Sequence, residues 1–168
     1  REIDVPVPTL PPDLDGVRRA LDAAPERLRI VIALAISTGA RRGELMALKW
    51  DDVDERASTI SISRSITLGG AIKTTKTKAT GVVSVGPETM EMLSVWRAAQ
   101  NERWTELRPG PMPEDMWVFP AFGWERPLGP DTISQQWRVL ADSVGLEGVR
   151  FHDLRHATAT HLVSNGVD

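Results

Sequence analysis

The segment "PERLRIVIALAISTG" (25–39) constrains the fold more than any other part of the chain. Past Arg29 it is apolar on nearly every side. A helix with one apolar stripe needs one neighbour, but a helix that is apolar all round has to be surrounded. Pro25 opens the segment and Gly39 closes it, the asymmetry that marks a helix start and a helix end. The run 30–38 is far too short for the ~20 residues of a membrane span. The segment is therefore expected to be a buried central helix, and the rest of the chain must cover it. With 168 residues, 41% of them apolar, one domain, or one and a fragment, has the material to do so.

The cover is mostly helical. "LDGVRRALDAA" (14–24) places Leu14, Val17, Leu21 and Ala24 at helical spacing. "RRGELMALKWDDVD" (41–54) reads as a short helix with Leu45 and Leu48 inward, ending at an acidic cluster. "PETMEMLSVWRAAQNERW" (87–104) and the amphipathic "DTISQQWRVLADSVG" (131–145) are further helices, and "FHDLRHATATHLVSNG" (151–166) is the last, closed by Gly166. Between them, "STISISRSIT" (58–67) alternates Ile60, Ile62 and Ile66 with small polar residues, which predicts a half-buried strand. "GG" (69–70) turns it back, and "AIKTT" and "GVVSV" complete a sheet. A strand-plus-loop region is expected over 117–130. The fold class is α+β, mainly helical, with a small three-stranded antiparallel sheet. The six tryptophans are expected in the core or at interfaces, with Trp124 in the loop "FGWERP" the candidate for exposure. Residues 1–12, with four prolines, read as an extended lead-in.

Charge is unevenly placed. The net charge is −3, which taken globally argues against nucleic acid. From Arg56 to Gly86, however, there is no Asp or Glu, and Arg64, Lys73, Lys76 and Lys78 lie in that stretch. Three of the four lysines fall in "KTTKTK" (73–78). Binding follows the local field more than the sum, so the stripe is a candidate anion-binding surface. Lysines at a hairpin tip also protect a sheet edge, and that reading stands beside the first. There is no Cys, which excludes disulfides and thiolate metal sites. An intracellular location fits this.

All three histidines lie in "HDLRHATATHL" (152–162). On a helix, His152, Arg155 and His156 share one face and can converge on one small anion. His161 falls on the opposite face among apolar residues and is read as structural. His152 and His156 are spaced like a metal-binding pair, but the H-E-x-x-H glutamate is missing and an arginine lies between them. A metal-dependent phosphodiesterase is therefore the weakest reading, and no metal is expected. In "TGARRGEL" (38–45), Glu44 follows Arg41 by three residues and can hold it in one rotamer. Arg42 reads as a surface arginine at a turn.

Together the three clusters resemble the catalytic domain of tyrosine recombinases, the phage-integrase family. "TGARRGELMALKWDDVD" is similar to the family's first arginine box, "KTTKTKATGVVSV" to its lysine hairpin, and "HDLRHATATHLVSNGVD" to its H-x-x-R-H box, in the family's order. The resemblance implies the recombinase catalytic-domain fold. It implies that Arg41 and Arg155 grip the scissile phosphate, that Lys76 protonates the leaving 5′ oxygen, and that His152 assists. Lys78 and Lys73 are fallbacks for that lysine, and with Arg64 they are DNA-binding candidates. Glu44 and His156 would support the site. Two arginines suit this chemistry because the planar fork donates two bonds to one phosphate and keeps its charge. No cofactor is implied.

The resemblance also implies a nucleophilic tyrosine, and this chain has no Tyr. The expectation is therefore a catalytic domain over 13–168, incomplete at its C-terminus and inactive by itself, with 1–12 as the linker from a missing DNA-clamp domain. The implied partners are double-stranded DNA at recombination sites, a homotetramer on that DNA, and an accessory DNA-bending protein. The implied location is the bacterial cytoplasm, at the nucleoid. The alternative is a catalytically inactive DNA-binding regulator on the same fold.

Overall fold

The computed structural model describes residues 12–74 and 81–157. The apolar segment is helix α2 (Glu26–Thr38), and it is central as its composition requires. It touches α1 (Leu14–Ala23), α3 (Arg42–Met46), α4 (Pro87–Leu107) and α5 (Pro130–Ser143). Leu28, Ile30, Val31, Ile32, Leu34 and Ala35 are all buried. Each fully buried large aliphatic side chain contributes about 1.5–3 kcal/mol from removal of its surface from water, so this one helix anchors the core. Local signals set the helix ends. The Asp13 carboxylate accepts the Gly16 N–H at 2.7 Å and starts α1. Pro87 and Pro130 occupy the first turns of α4 and α5.

Three strands form one antiparallel sheet in the order β1 (Val53–Asp54), β2 (Thr59–Ile62), β5 (Gly81–Ser84). Ile60 lies opposite Val53 on one side and Val83 on the other. The strand expected over 58–67 is in fact two. After Ser63 the chain leaves the sheet as β3 (Arg64–Ile66), which pairs with β4 (Ile72–Thr74) in a separate ladder, Ile66 opposite Ile72. The reason is docking against α3, because the β3 backbone runs directly over Gly43. A Cβ placed on Gly43 would lie 2.5 Å from the Ile66 carbonyl oxygen and 2.9 Å from Ser65 Oγ. The third place in the first sheet goes to β1, whose two residues are too short to carry a period-two pattern.

Region 117–130 forms bridges and no regular strand. Lys49 pairs with Trp117 and Pro120 with Pro127. Neither proline has an N–H to extend a ladder. One buried polar bridge crosses the core here. Trp50 Nε1 donates to Gln100 Oε1 at 2.7 Å, and Gln100 Nε2 donates to the Val118 carbonyl at 2.9 Å. That carbonyl also accepts from Trp96 Nε1 at 2.8 Å. Trp124 packs edge-on against Trp104, with centroids 5.7 Å apart, and the exposed aromatic of its loop is Phe122. Among the described residues, no helix is long and apolar enough to cross a membrane.

The close approach at Gly43 gives a direct test. Gly43→Ala is expected to cost about 1–3 kcal/mol, because the nearest atom in the way, the Ile66 carbonyl oxygen, is strand backbone and cannot rotate aside. Gly69→Ala, in an exposed turn, meets only Thr67 Oγ1 at an ordinary 4.0 Å, and its expected effect is below about 0.5 kcal/mol. Urea denaturation of the two variants checks this, and equal midpoints would remove the packing argument.

Candidate active site

The site is built on the turn between α2 and α3. Gly39 ends α2 in the left-handed conformation, φ 66°, with its N–H on the Ala35 carbonyl. Only a residue that tolerates positive φ can turn the chain this way cheaply. Two residues later Arg41 caps α3 from extended backbone. Its N–H donates to Glu44 Oε2 at 2.7 Å. Glu44 therefore fixes the backbone of Arg41, and among the described residues no carboxylate pairs with the Arg41 guanidinium.

The histidine–arginine box adopts a tighter start than one continuous α-helix. Phe151–Asp153 form a 3-10 turn, and the α-helical hydrogen bonding begins only over 154–157. The cause is Asp153. Its carboxylate is buried and accepts the Arg150 N–H at 2.8 Å and the Arg150 guanidinium at 3.2 Å. Burial alone would push this carboxyl up, but the bonds from Arg150 outweigh it and hold the group below the ordinary carboxylate range. Phe151 and Leu154 are buried and anchor the turn, which leaves His152 exposed and Arg155 half-buried.

These pieces meet around a cavity of about 770 Å³. Arg41, His152 and Arg155 all line it. So do Arg42, Arg138 and Arg150, while Asp142 is the one acid that lines it among the described residues. Several guanidinium groups lining one partly enclosed space can hold a phosphate-like anion, since they are always charged. Arg155 is braced for this. Its Nε–H donates to the Gly39 carbonyl at 2.5 Å, which leaves its Nη donors for a ligand.

His152 sits among these positive charges. Partial desolvation, then Arg155, then His156 push its imidazole below the ordinary histidine value, against the opposing pull of Asp153. The ring is therefore neutral and able to take a proton in a range where an ordinary histidine is charged. The expected midpoint in a proton NMR titration lies below about 6.5. Arg155→Ala should move it up, because removing a cation eases protonation. A midpoint unmoved by that substitution would separate the two groups electrostatically.

The other site residues expected from sequence are distributed as follows. His156 is exposed and packs edge-to-face on His152, with centroids 5.6 Å apart, but it does not line the cavity. Lys73 is exposed on β4. Lys76, Lys78 and His161 lie outside the described residues. Arg64 is a tie within the fold. Its guanidinium is paired with Asp52 and lies 3.9 Å from Asp51, and its Nε reaches the Ala47 carbonyl at 3.4 Å. Burial raises the Asp52 carboxyl in spite of this partner. Arg42, read as a turn arginine, also ties elements together, bonding Ser134 and lying 3.6 Å from Asp131 on α5. Sequence reasoning missed Arg138 and Arg150. The arginine three residues before Asp153 carried a usable signal, the spacing of a reciprocal cap. Arg138 carried none, since only the placement of α5 brings it to the cavity.

The fold and this arrangement belong together in one family. Residues 13–168 match the phage integrase family, and the chain belongs to it. It is similar to the ICEBs1 integrase of Bacillus subtilis (31% identical over 139 residues, 80% of this chain and 37% of that protein). It is similar also to the tyrosine recombinase XerD of Mycobacterium leprae (30% over 146 residues, 84% and 41%) and to the integrase of Salmonella phage P22 (26% over 152 residues, 89% and 36%). The chain thus spans less than half the length of each of these relatives. Its fold is that of the tyrosine recombinase catalytic domain. The crystal structure of XerA recombinase superposes with a TM-score of 0.72 at 24% identity, covering 95% of this chain and 52% of that one. The Tn1549 transposon integrase in complex with transposon right end DNA superposes with a TM-score of 0.74 at 18% identity, covering 100% and 57%.

Proposed function

We propose that this chain is the phosphate-gripping part of a site-specific DNA recombinase of the integrase type. One observation carries the reading: Arg41, His152 and Arg155, distant in sequence, line a single cavity, with the Arg155 guanidinium braced. The two arginines hold the non-bridging oxygens of the scissile phosphate, where charge builds in the transition state. His152, kept neutral by its neighbours, takes part in proton transfer. Lys76, with Lys78 or Lys73 in reserve, protonates the leaving 5′ oxygen. The attacking hydroxyl comes from a tyrosine outside these 168 residues, since they contain none. Attack forms a 3′ phosphotyrosyl bond, releases the 5′ hydroxyl and needs no metal.

The partner is double-stranded DNA at a recombination site, bound by a tetramer in the bacterial cytoplasm with help from a DNA-bending protein. Solved relatives support the DNA partner, among them the Tn1549 integrase on transposon DNA and XerH bound to its difH substrate. The test is to trap the covalent intermediate. The complete gene product, mixed with nicked duplex carrying its site, is expected to give a protein–DNA adduct that survives denaturing electrophoresis. Tight binding without any adduct would favour the inactive regulator instead.

A further inference from the structure

The geometry points to the turn 38–41 as a rigid mount that fixes Arg41 and Arg155 relative to each other, with Thr38 and Gly39 as positioning residues. This rests on the reading of the two arginines as one phosphate clamp.

The turn is tied by hydrogen bonds on both sides. The Thr38 hydroxyl donates to the Leu34 carbonyl at 2.6 Å and accepts the Ala40 N–H at 3.1 Å. The Gly39 N–H closes α2 on the Ala35 carbonyl at 3.0 Å. The Gly39 carbonyl then accepts the Arg155 Nε–H at 2.5 Å, across 116 residues of sequence. The Arg41 N–H is held by Glu44 and its carbonyl accepts the Leu45 N–H at 2.9 Å. Two residues along one backbone thus separate the anchor of one arginine from the Cα of the other. A peptide unit is planar and stiff, so with its dihedrals pinned the turn transmits little play. Arg155 gains aim as well, since the bond at Nε orients the guanidinium plane and leaves both Nη groups for an anion.

The left-handed conformation of Gly39 aims that carbonyl. No atom lies within 4 Å of a Cβ built there, so a side chain fits and only the backbone conformation resists it. This separates two effects that are usually mixed. Gly39→Asn keeps positive φ within reach, whereas Gly39→Val does not. At Thr38, Ser keeps the hydroxyl and Val keeps the shape without it.

The experiment follows the Arg155 Nε–H in this chain by 15N NMR, together with titration by inorganic phosphate. In the wild-type chain the Nε–H is expected to exchange slowly, and phosphate to shift the Arg41 and Arg155 signals together. Gly39→Val and Thr38→Val should each speed exchange of the Nε–H and weaken phosphate binding by roughly tenfold, one hydrogen bond's worth. Gly39→Asn and Thr38→Ser should restore both. Unchanged exchange and phosphate affinity in folded Gly39→Val and Thr38→Val would overturn the mount. A protected Nε–H that responds to Gly39, with no phosphate response at either arginine, would support the mount and overturn the clamp reading.

Discussion

Arg155→Ala is expected to reduce DNA strand cleavage by about 10³-fold or more in the complete gene product, while most DNA affinity remains. The asymmetry follows from where the residue sits. DNA affinity is a sum over many phosphate contacts, so loss of one cation lowers the salt slope of binding by only about one. Cleavage depends on cations fixed where charge develops, and Arg155 lines the cavity with its guanidinium braced by the Gly39 carbonyl. Arg155→Lys should rescue little. A lysine keeps the charge but cannot donate to the Gly39 carbonyl and still present a two-pronged fork. Single-turnover cleavage and binding at two salt concentrations separate the two effects. Cleavage by Arg155→Ala at the wild-type rate would end the catalytic assignment.

Trp137→Ala should cost about 3–5 kcal/mol of folding stability, lowering the melting temperature by roughly 6–20 °C for a domain of this size. Trp137 on α5 is 1% exposed. Its ring meets Phe151 edge-on with centroids 6.2 Å apart, and its Nε1–H donates to the Val149 carbonyl at 2.8 Å. It thus supports from below the turn that presents His152. Trp137→Phe keeps most of the volume but leaves the Val149 carbonyl unpaired, and it should cost less, about 1–3 kcal/mol. Calorimetry gives both numbers. A loss below about 1 kcal/mol for the alanine variant would mean that the turn is supported elsewhere.

What the sequence made legible depended on how local each signal was. Helix α2 was readable because its apolar residues leave no side for water, whatever surrounds it. Leu45 and Leu48 were correctly placed inward for the same local reason, and both are buried. The division of 58–67 was hidden, because the alternation of Ile60, Ile62 and Ile66 continues through the point where the chain changes sheets. What divides it is contact with Gly43, a tertiary event. The histidine box was legible as a cluster but not in its shape, since the bond between the buried Asp153 carboxylate and Arg150 tightens its first turn. Arg64 illustrates the limit of charge counting. A basic residue in a stretch free of acids finds its acids, Asp51 and Asp52, in the 3-10 turn before β1.

The partner of Arg155 on the α2 side is a main-chain oxygen, and this has an evolutionary consequence. No base change at codon 39 can delete a carbonyl, but a residue that refuses positive φ turns it away, so the contact survives only substitutions such as asparagine that keep the left-handed conformation. Its weakness is length. One codon gained or lost between α2 and α3 would rotate Gly39 away and shift Arg41 in the same step. Genetic drift in this lineage should therefore be intolerant of insertions and deletions over 38–42, and at the buried Ala40 it should admit only small residues. The exposed residues 109–111 after α4 carry neither arginine, and length changes there should be common.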